Sequence, residues 1–258
     1  MMRSLKFAKR LMLAGAFFTL MSASVFAITN TELQEKLSLS DFRATFTGSD
    51  FQATIKMVSV DPTFTEPKVK EYTQFRRDGN DAMVMVTLLP EVDKGQGKLR
   101  IDENMWSYDP ESRNFTHTTL KENIEGTDVK NNDMKKPTIA TDYKVAGYKE
   151  GKLGAFDVYI IDLKAVNEEV PYAFQKAYMR KDNFVLLMVQ SYSLTNRLLR
   201  TTYYPTYSKI GDKYIATTTI YKDELVAGKQ TTVTMTNISL APIPDSVFSK
   251  AYIEKINK

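Results

Sequence analysis

Apolar and polar residues alternate along much of the chain after residue 50. Phe51, Ala53, Ile55 and Met57 alternate with polar side chains, a period of two that is typical of a strand with one buried face. Turn-forming residues, such as Asp78-Gly79-Asn80, separate this run from the next ones. The predicted strands are residues 51–57, 72–77, 82–89, 97–102, 104–109, 114–119, 156–163, 173–180, 184–193, 198–204, 214–221 and 231–240.

This succession of short strands predicts a mostly β fold with few helices. Strands joined largely by short turns form one large antiparallel sheet that is strongly curved or closed. Thr31 and Gln34 have the spacing of a capping box, which predicts a short helix ending near Lys36. A second helix is predicted after Pro244, with Asp245 as its cap. The polar residues 126–136 are predicted to form a solvated loop with one helical turn.

The first 27 residues have the organisation of a secretory signal peptide. Four basic residues precede an apolar run that begins at Leu11 and ends in small residues at Ala27. The competing interpretation is an uncleaved membrane anchor, but the run of 17 residues is shorter than the roughly 20 that span a bilayer. We predict cleavage after Ala27 and a single folded domain over residues 28–258.

Removal of the signal peptide changes the charge balance. The whole chain has 35 Lys and Arg, four of them in residues 1–27, so 31 remain against 31 Asp and Glu. A net charge of zero gives no support for nucleic-acid binding, which needs a basic face. The chain has no Cys, which excludes disulfides, thiolate metal sites and a Cys nucleophile.

The sequence offers little catalytic chemistry. His117 is the only histidine, so His-cluster metal sites are excluded, and it lies in a predicted strand without a nucleophile motif nearby. We expect no catalytic residues, no metal and no cofactor. We therefore predict that the protein is not an enzyme. One hypothesis for the function, a secreted hydrolase, depends on His117 alone.

Four segments resemble the LolA-like outer-membrane lipoprotein-sorting proteins, one of them the strand, turn and strand over residues 198–220. The stretch from Trp106 to Arg113, WSYDPESR, is similar to the family's W-x-Y-x-P-x-x-R segment. The family has an acidic loop after this segment, and residues 126–128 and 132–133 resemble it. The family's closing segment resembles residues 243–252. The chain departs from the pattern at Asn114, where the family often has a second basic residue, and in residues 125–127.

The resemblance implies both a fold and a function. The implied fold is an incomplete, strongly curved antiparallel β-barrel whose open side is covered by short helices. The implied function is that of a periplasmic carrier, a monomer that binds lipid or lipoprotein acyl chains in an apolar concave cavity. An inner-membrane transporter and an outer-membrane receptor are the candidate partners. The alternative is a non-enzymatic periplasmic sensor or adaptor of the same fold, serving an exporter or an envelope-stress system.

Strand parity selects the residues predicted to line the concave cavity. Residues 104–109 and 113–119 are predicted to form a hairpin around the turn at Pro110, which puts Trp106 and Tyr108 on one face. Large amphipathic rings there can line a lipid cavity or fill it as core, and the sequence leaves both open. The full predicted lining set is Ile55, Met57, Leu99, Ile101, Trp106, Tyr108 and Phe115.

Overall fold

The computed structural model describes residues 27–257, so the predicted signal peptide lies outside the described residues except for Ala27. Within this range none of the helices combines the length and apolarity needed to cross a bilayer. The helices are α1 (Asn30–Arg43), α2 (Ile139–Asp142) and α3 (Lys250–Lys255). The strands are β1 (Phe51–Val60), β2 (Lys68–Arg77), β3 (Ala82–Leu89), β4 (Gly97–Ile101), β5 (Asn104–Asp109), β6 (Asn114–Thr118), β7 (Tyr143–Leu153), β8 (Phe156–Ala165), β9 (Phe174–Arg180), β10 (Leu186–Tyr192), β11 (Leu198–Ile210), β12 (Lys213–Asp223) and β13 (Gln230–Ser239).

All thirteen strands belong to one antiparallel sheet. The strand order is β6-β5-β4-β3-β2-β1-β13-β12-β11-β10-β9-β8-β7, so β6 and β7 are the two edges and the sheet is not closed. The β1–β13 pairing joins the two halves of the chain at the middle of the sheet. The predicted mostly β fold, an incomplete antiparallel barrel with short helices, is confirmed.

One face of this sheet, which we call the inner face, carries α1 and α2. Leu33 and Leu37 of α1 are fully buried in an apolar cluster with the side chains of β8, β9 and β10. Pairing in register continues the same face across the sheet into β1. The row of paired inner-face residues is Ile161, Ala177, Val189, Thr202, Tyr221, Thr231 and Ser59.

The sheet curves around the segment of residues 119–142, which we call the cover segment. Gln74 of β2 donates to the carbonyl of Met134 at 2.9 Å, while Arg200 of β11 is paired with Asp133 at 2.6 Å. Four strand positions separate β2 from β11, a distance of about 19 Å in a flat sheet. Because both side chains reach consecutive residues, the two strands must face each other across a concave surface.

The first helix is longer than predicted, and its cap lies two residues earlier. Thr29 Oγ accepts from the backbone N–H of Glu32 at 3.1 Å, and the Glu32 carboxylate accepts from the Thr29 N–H at 2.7 Å. This pair is the capping box, so the assignment to Thr31 and Gln34 is wrong. Gln34 instead donates to the carbonyl of Ala140 at 2.7 Å and docks α1 on α2. The helix continues to Arg43 because Leu37 extends its buried face.

The prediction of a solvated loop over residues 126–136 is also wrong. Asp128 is 8% exposed and Asn131 is 1% exposed. The apolar side chains of Ile124, Val129 and Met134 explain this, because all three are buried against the inner face of the central strands. The predicted helical turn is present as a 3₁₀ turn, Asn131–Met134.

The third helix packs on the opposite side of the sheet, the outer face. Ser249 caps it by accepting from the Tyr252 N–H at 3.2 Å, whereas Asp245, the predicted cap, pairs with Arg77. Ile253 is fully buried in a cluster with Val84, Leu99 and their neighbours from β3 to β6. A Cβ at Gly97 of β4 would lie 2.5 Å from a methyl carbon of Ile253, so α3 can approach the sheet closely only because residue 97 is glycine.

We expect Gly97→Ala to destabilise the protein by about 1–3 kcal/mol, because the added methyl displaces Ile253 from a packed site. Gly147→Ala in β7 is the matched control, since a Cβ there meets no atom within 4 Å. That change should be neutral or slightly stabilising. Urea unfolding monitored by circular dichroism measures both, and equal stabilities for the two variants would contradict the close contact of α3 with the sheet.

Candidate functional site

A cavity of about 230 Å³ lies on the inner face, enclosed by α1, the cover segment and the strands β9 to β13. Its wall is a mixture of aliphatic and tyrosine side chains with a few charged groups. The larger apolar residues in the wall are Phe51, Ile139, Val170, Val185, Leu186, Val189, Ile215 and Met235. The tyrosines are Tyr143, Tyr172, Tyr204, Tyr207, Tyr214 and Tyr221.

Strand β11 forms the floor of the cavity. Arg200, Thr202 and Tyr204 alternate along it and therefore share the inner face. Tyr221 of β12 lies beside Thr202 in register, and Val189 of β10 lies on the other side. The floor is thus aromatic and aliphatic around one guanidinium group.

Arg200 is the charged centre of this floor. Its two terminal nitrogens donate to the two carboxylate oxygens of Asp133 at 2.6 and 2.9 Å, a bidentate pair. Burial disfavours the charged guanidinium, but the Asp133 carboxylate outweighs this cost, so the pKa of Arg200 is raised above its ordinary value. The group also stacks on Tyr172 and Tyr221, at 5.1 and 4.9 Å from the ring centroids. Arg200 therefore links the cover segment to the sheet.

Further polar contacts hold the cover segment over the cavity. Thr231 of β13 accepts from the Asp128 N–H at 2.9 Å and donates to its carboxylate at 3.1 Å. At the other end of the segment, Lys136 Nζ pairs with Asp81 at 3.1 Å. The contacts lie at separated points, and the cavity occupies the space between them and α1.

Asp41 joins α1 to α2 at the edge of the cavity. Its carboxylate accepts from the backbone N–H of Ala140 at 2.8 Å. Burial raises the pKa of Asp41 to about 7, and the nearby Asp142 adds to this rise. Burial therefore favours the protonated form of Asp41 in the folded protein, although the hydrogen bond from the Ala140 N–H on its own favours the charged form.

The structure divides the seven predicted lining residues between the two faces of the sheet. Ile55 and Met57 are fully buried on the inner face, in the cluster that packs against Ile124 and Val129. The other five lie together on the outer face, where α3 and Phe248 cover them: Leu99, Ile101, Trp106, Tyr108 and Phe115. None of the seven borders the cavity, so the prediction that they share one concave wall is wrong.

The alternation of side chains was predicted correctly within each strand. The apolar residues of β4 to β6, however, were assigned to the concave face and lie on the outer face. The hairpin of β5 and β6 is present, and Leu99, Trp106 and His117 are paired neighbours on one face. On β4, the inner face carries the polar residues Lys98 and Arg100, which are paired with the buried Met85 and Met83 of β3. Apolar residues are expected on a concave face by default, but here α3 makes the outer face the apolar one.

His117 lies exposed on the edge strand β6, with its ring edge-on to Trp106 at 6.1 Å between centroids. Lys250 of α3 places its ammonium group 4.6 Å from the Trp106 ring. These contacts make Trp106 part of the packing around α3. Between residues 27 and 257 no three His, Asp or Glu side chains are grouped so that they could hold a metal ion.

A family model described as "Uncharacterized protein" matches residues 79–255, more than half of the chain. The chain belongs to this family. No curated protein sequence matches it.

Solved structures identify the fold of this family member. A LolA superfamily protein from Nitrosomonas europaea has a TM-score of 0.73 at 22% identity, covering 88% of this chain and 100% of that one. A domain provisionally assigned as an outer membrane lipoprotein-sorting protein, from Vibrio parahaemolyticus, has a TM-score of 0.73 at 18% identity, covering 86% and 99%. A DUF1329 family protein from Desulfovibrio piger has a TM-score of 0.73 at 17% identity, covering 85% and 98%. The predicted LolA-like resemblance is confirmed in the fold.

The residues that build the cavity were not predicted from the sequence. Arg200, Thr202 and Tyr204 lie in a predicted strand with the required alternation, but nothing in that strand distinguishes the floor of a cavity from an ordinary core. Asp133 was assigned to a solvated loop. The available signal was a lone arginine between apolar and hydroxyl side chains of a strand, which requires an acidic partner when buried.

We expect the free energy of unfolding to fall between pH 5 and pH 8, because Asp41 keeps its proton in the folded protein up to about pH 7. An unfolded Asp ionises near pH 3.9, so this contribution is complete below about pH 4 and is lost as the pH rises through about 7. Asp41→Asn preserves an acceptor for the Ala140 N–H without a titrating group. The Asp41→Asn substitution should reduce the difference in unfolding free energy between pH 5 and pH 8 by about 1–2 kcal/mol.

Urea unfolding of both proteins at several pH values between 5 and 8 measures this difference. Asp162→Asn is the control, because Asp162 is an exposed carboxylate on β8. Identical pH dependence in the wild-type protein and Asp41→Asn would contradict the role given to Asp41.

Proposed function

We propose that this protein is a periplasmic carrier that holds lipid or lipoprotein acyl chains in the cavity between its sheet and its cover. The observation that carries the proposal is the cavity itself, an aliphatic and tyrosine-lined space under α1 and a cover segment whose Asp133 and Asp128 contact the sheet at separate points. The LolA fold supports the same conclusion. Binding sites for apolar ligands are typically concave and apolar, with a few polar groups that fix orientation.

Burial of the acyl chain provides the driving force. Each methylene group removed from water contributes about 0.8 kcal/mol. Part of this gain is spent on ordering the chain and on displacing the cover segment, so the net affinity is much smaller than the sum over methylenes. A carrier needs this balance, because a ligand held too tightly is not released.

Entry of a long chain requires the cover segment to move. The cover is held by the buried apolar side chains of Ile124, Val129 and Met134 as well as by polar contacts, and groups such as Asp133 and Arg200 regain hydration when they separate. The polar contacts are therefore the part of the closure that costs least to separate, whereas the apolar contacts oppose opening. We propose that α1, α2 and the 3₁₀ turn Asn131–Met134 form the moving part, while the sheet stays fixed.

The proposed location follows from the N-terminus. Cleavage after Ala27 would leave Thr29, the cap of α1, as the second residue of a mature single domain. The mature protein would act as a monomer without a cofactor or a catalytic role. An inner-membrane transporter that loads it and an outer-membrane receptor that unloads it are the proposed partners.

We expect protein purified without detergent to carry lipid, seen in native mass spectrometry as a mass above that of the chain. We also expect the delipidated protein to take up a fluorescent fatty acyl probe. Thr202→Trp should abolish uptake, because Thr202 is a small, buried residue at the centre of the cavity floor. Tyr203→Trp is the matched control, since the adjacent side chain is partly exposed on the outer face.

Circular dichroism establishes that both tryptophan variants are folded. A wild-type protein that neither retains nor takes up lipid would overturn the carrier proposal. Uptake that is unchanged in folded Thr202→Trp would place the lipid outside this cavity.

A further inference from the structure

Four cations lie together at one rim of the sheet, near the end of α1 and the turns that follow β9 and β11. They are Lys36 and Arg43 of α1, Lys209 of β11 and Lys213 of β12. Among residues 27–257, none of the four has a carboxylate oxygen within 4 Å. Arg43 donates to the carbonyl of Asn183 at 2.7 Å and Lys213 to that of Phe42 at 3.0 Å, contacts that leave both charges uncompensated.

An aromatic ring lies against each of these cations. Lys213 Nζ is 3.7 Å from the centroid of the Phe42 ring, and Lys36 Nζ is 4.8 Å from that of Phe184. The Tyr214 ring has Arg43 and Lys209 at 5.6 and 5.7 Å. Phe42 is 53% exposed, so its ring meets water as well as the lysine. We call the four cations and these three rings the basic aromatic patch.

The patch has a net positive charge, although the chain after the predicted cleavage site has none. Asp212 lies in the turn between β11 and β12, so four cations and one carboxylate leave a charge of +3. Neighbouring cations add nothing to this charge, because Arg180 pairs with Asp182 and Lys181 pairs with Glu150.

The opposite rim of the sheet has the reverse imbalance. Lys229, just before β13, has three carboxylates within 4 Å: Asp61 at 3.7 Å, Asp128 at 3.4 Å and Asp223 at 3.7 Å. One cation therefore stands against three anions there. Charges of opposite sign at the two rims orient the protein in the field of a charged surface, with the basic aromatic patch towards the negative side.

The patch adjoins the cavity. Arg43 and Tyr214 belong to both, since each also borders the cavity wall. A surface that binds the basic aromatic patch therefore lies next to the space in which the proposed ligand is held.

We propose that the basic aromatic patch docks the protein on the anionic head groups of a phospholipid bilayer. The surface potential of such a bilayer attracts nearby Lys and Arg side chains, and aromatic rings favour the interfacial layer. The exposed Phe42 ring favours a bilayer over an acidic polypeptide, because a bilayer has an apolar layer directly beneath its charged groups. The inference concerns the outside of the protein and goes beyond the cargo of the cavity.

Co-flotation of the protein with phospholipid vesicles tests the docking surface. Vesicles of phosphatidylcholine and phosphatidylglycerol in equal parts should bind at least about tenfold more tightly than phosphatidylcholine alone in about 50 mM NaCl, and about 500 mM NaCl should remove most of this difference. Lys209→Gln/Lys213→Gln should weaken binding to the anionic vesicles about 20- to 30-fold, since each lysine near such a surface contributes about fivefold. Phe42→Ala should weaken it about 3- to 10-fold, because an apolar contact is lost.

Lys144→Gln/Lys164→Gln is the matched control. These exposed lysines are paired in register on β7 and β8, away from the patch, and their replacement removes the same charge. Thr202→Trp, which fills the cavity, should bind vesicles like the wild-type protein and so separates docking from ligand uptake.

The inference would be overturned by a wild-type protein that does not bind the anionic vesicles, or by equal losses in the two lysine pairs. Loss of vesicle binding in folded Thr202→Trp would also overturn it, because the lipid would then be held by the cavity. Binding to polyglutamate without binding to vesicles would assign the patch to an acidic protein segment instead. None of these results decides the carrier proposal, which depends on the uptake of an acyl probe.

Discussion

The buried ion pair of Arg200 and Asp133 is the interaction on which the closed form of this protein depends. It joins the floor of the sheet to the cover segment, and both side chains are about nine-tenths buried. A buried guanidinium is tolerated only when its charge is compensated, so the position of Asp133 is dictated by the strand that carries Arg200. The neighbouring residue, Met134, is fixed from the other half of the sheet by Gln74. Two consecutive residues of the cover thus hold together strands that are far apart in the sheet order.

The two faces of the sheet have different roles because different helices cover them. The inner face carries α1, α2 and the cover segment, and it contains both a packed cluster and a cavity. The outer face of β3 to β6 is sealed by α3, which approaches closely at Gly97. The packed regions include the apolar side chains of the cover, and the cavity lies where the ion pair of Arg200 and Asp133 joins the cover to the sheet. Under the proposed function, this division lets the cover move without unfolding the sheet.

Much of the fold could be predicted from the sequence, because strand alternation is a local property. Twelve of the thirteen strands were predicted, and the hairpin of β5 and β6 was placed correctly. Strand β7 was missed because an edge strand with two glycines and several lysines has little apolar alternation to recognise. The faces of β4 to β6 could not be assigned, since that choice depends on where α3 packs, and α3 lies more than 130 residues away in the chain.

The site was less predictable than the fold, because it is formed by residues whose burial depends on long-range partners. Asp128, Asn131 and Asp133 have the composition of an exposed loop, yet the apolar residues between and beside them bring the whole segment onto the sheet. The tyrosines of the cavity come from separate strands and from the loop that contains Tyr172. Only the three-dimensional arrangement distinguishes these rings from an ordinary core, and the resemblance to LolA-like proteins indicates the architecture without identifying them.

The central claim is that the cover is a separable element closed over a ligand cavity. Hydrogen exchange of the backbone amides, measured with and without a bound acyl probe, tests it most directly. The amides of residues 131–142, which are hydrogen-bonded mostly within the cover, should exchange through openings that leave β11 to β13 protected, and the probe should change their rates selectively. Exchange of the cover only together with the sheet, and unaffected by the probe, would contradict the account.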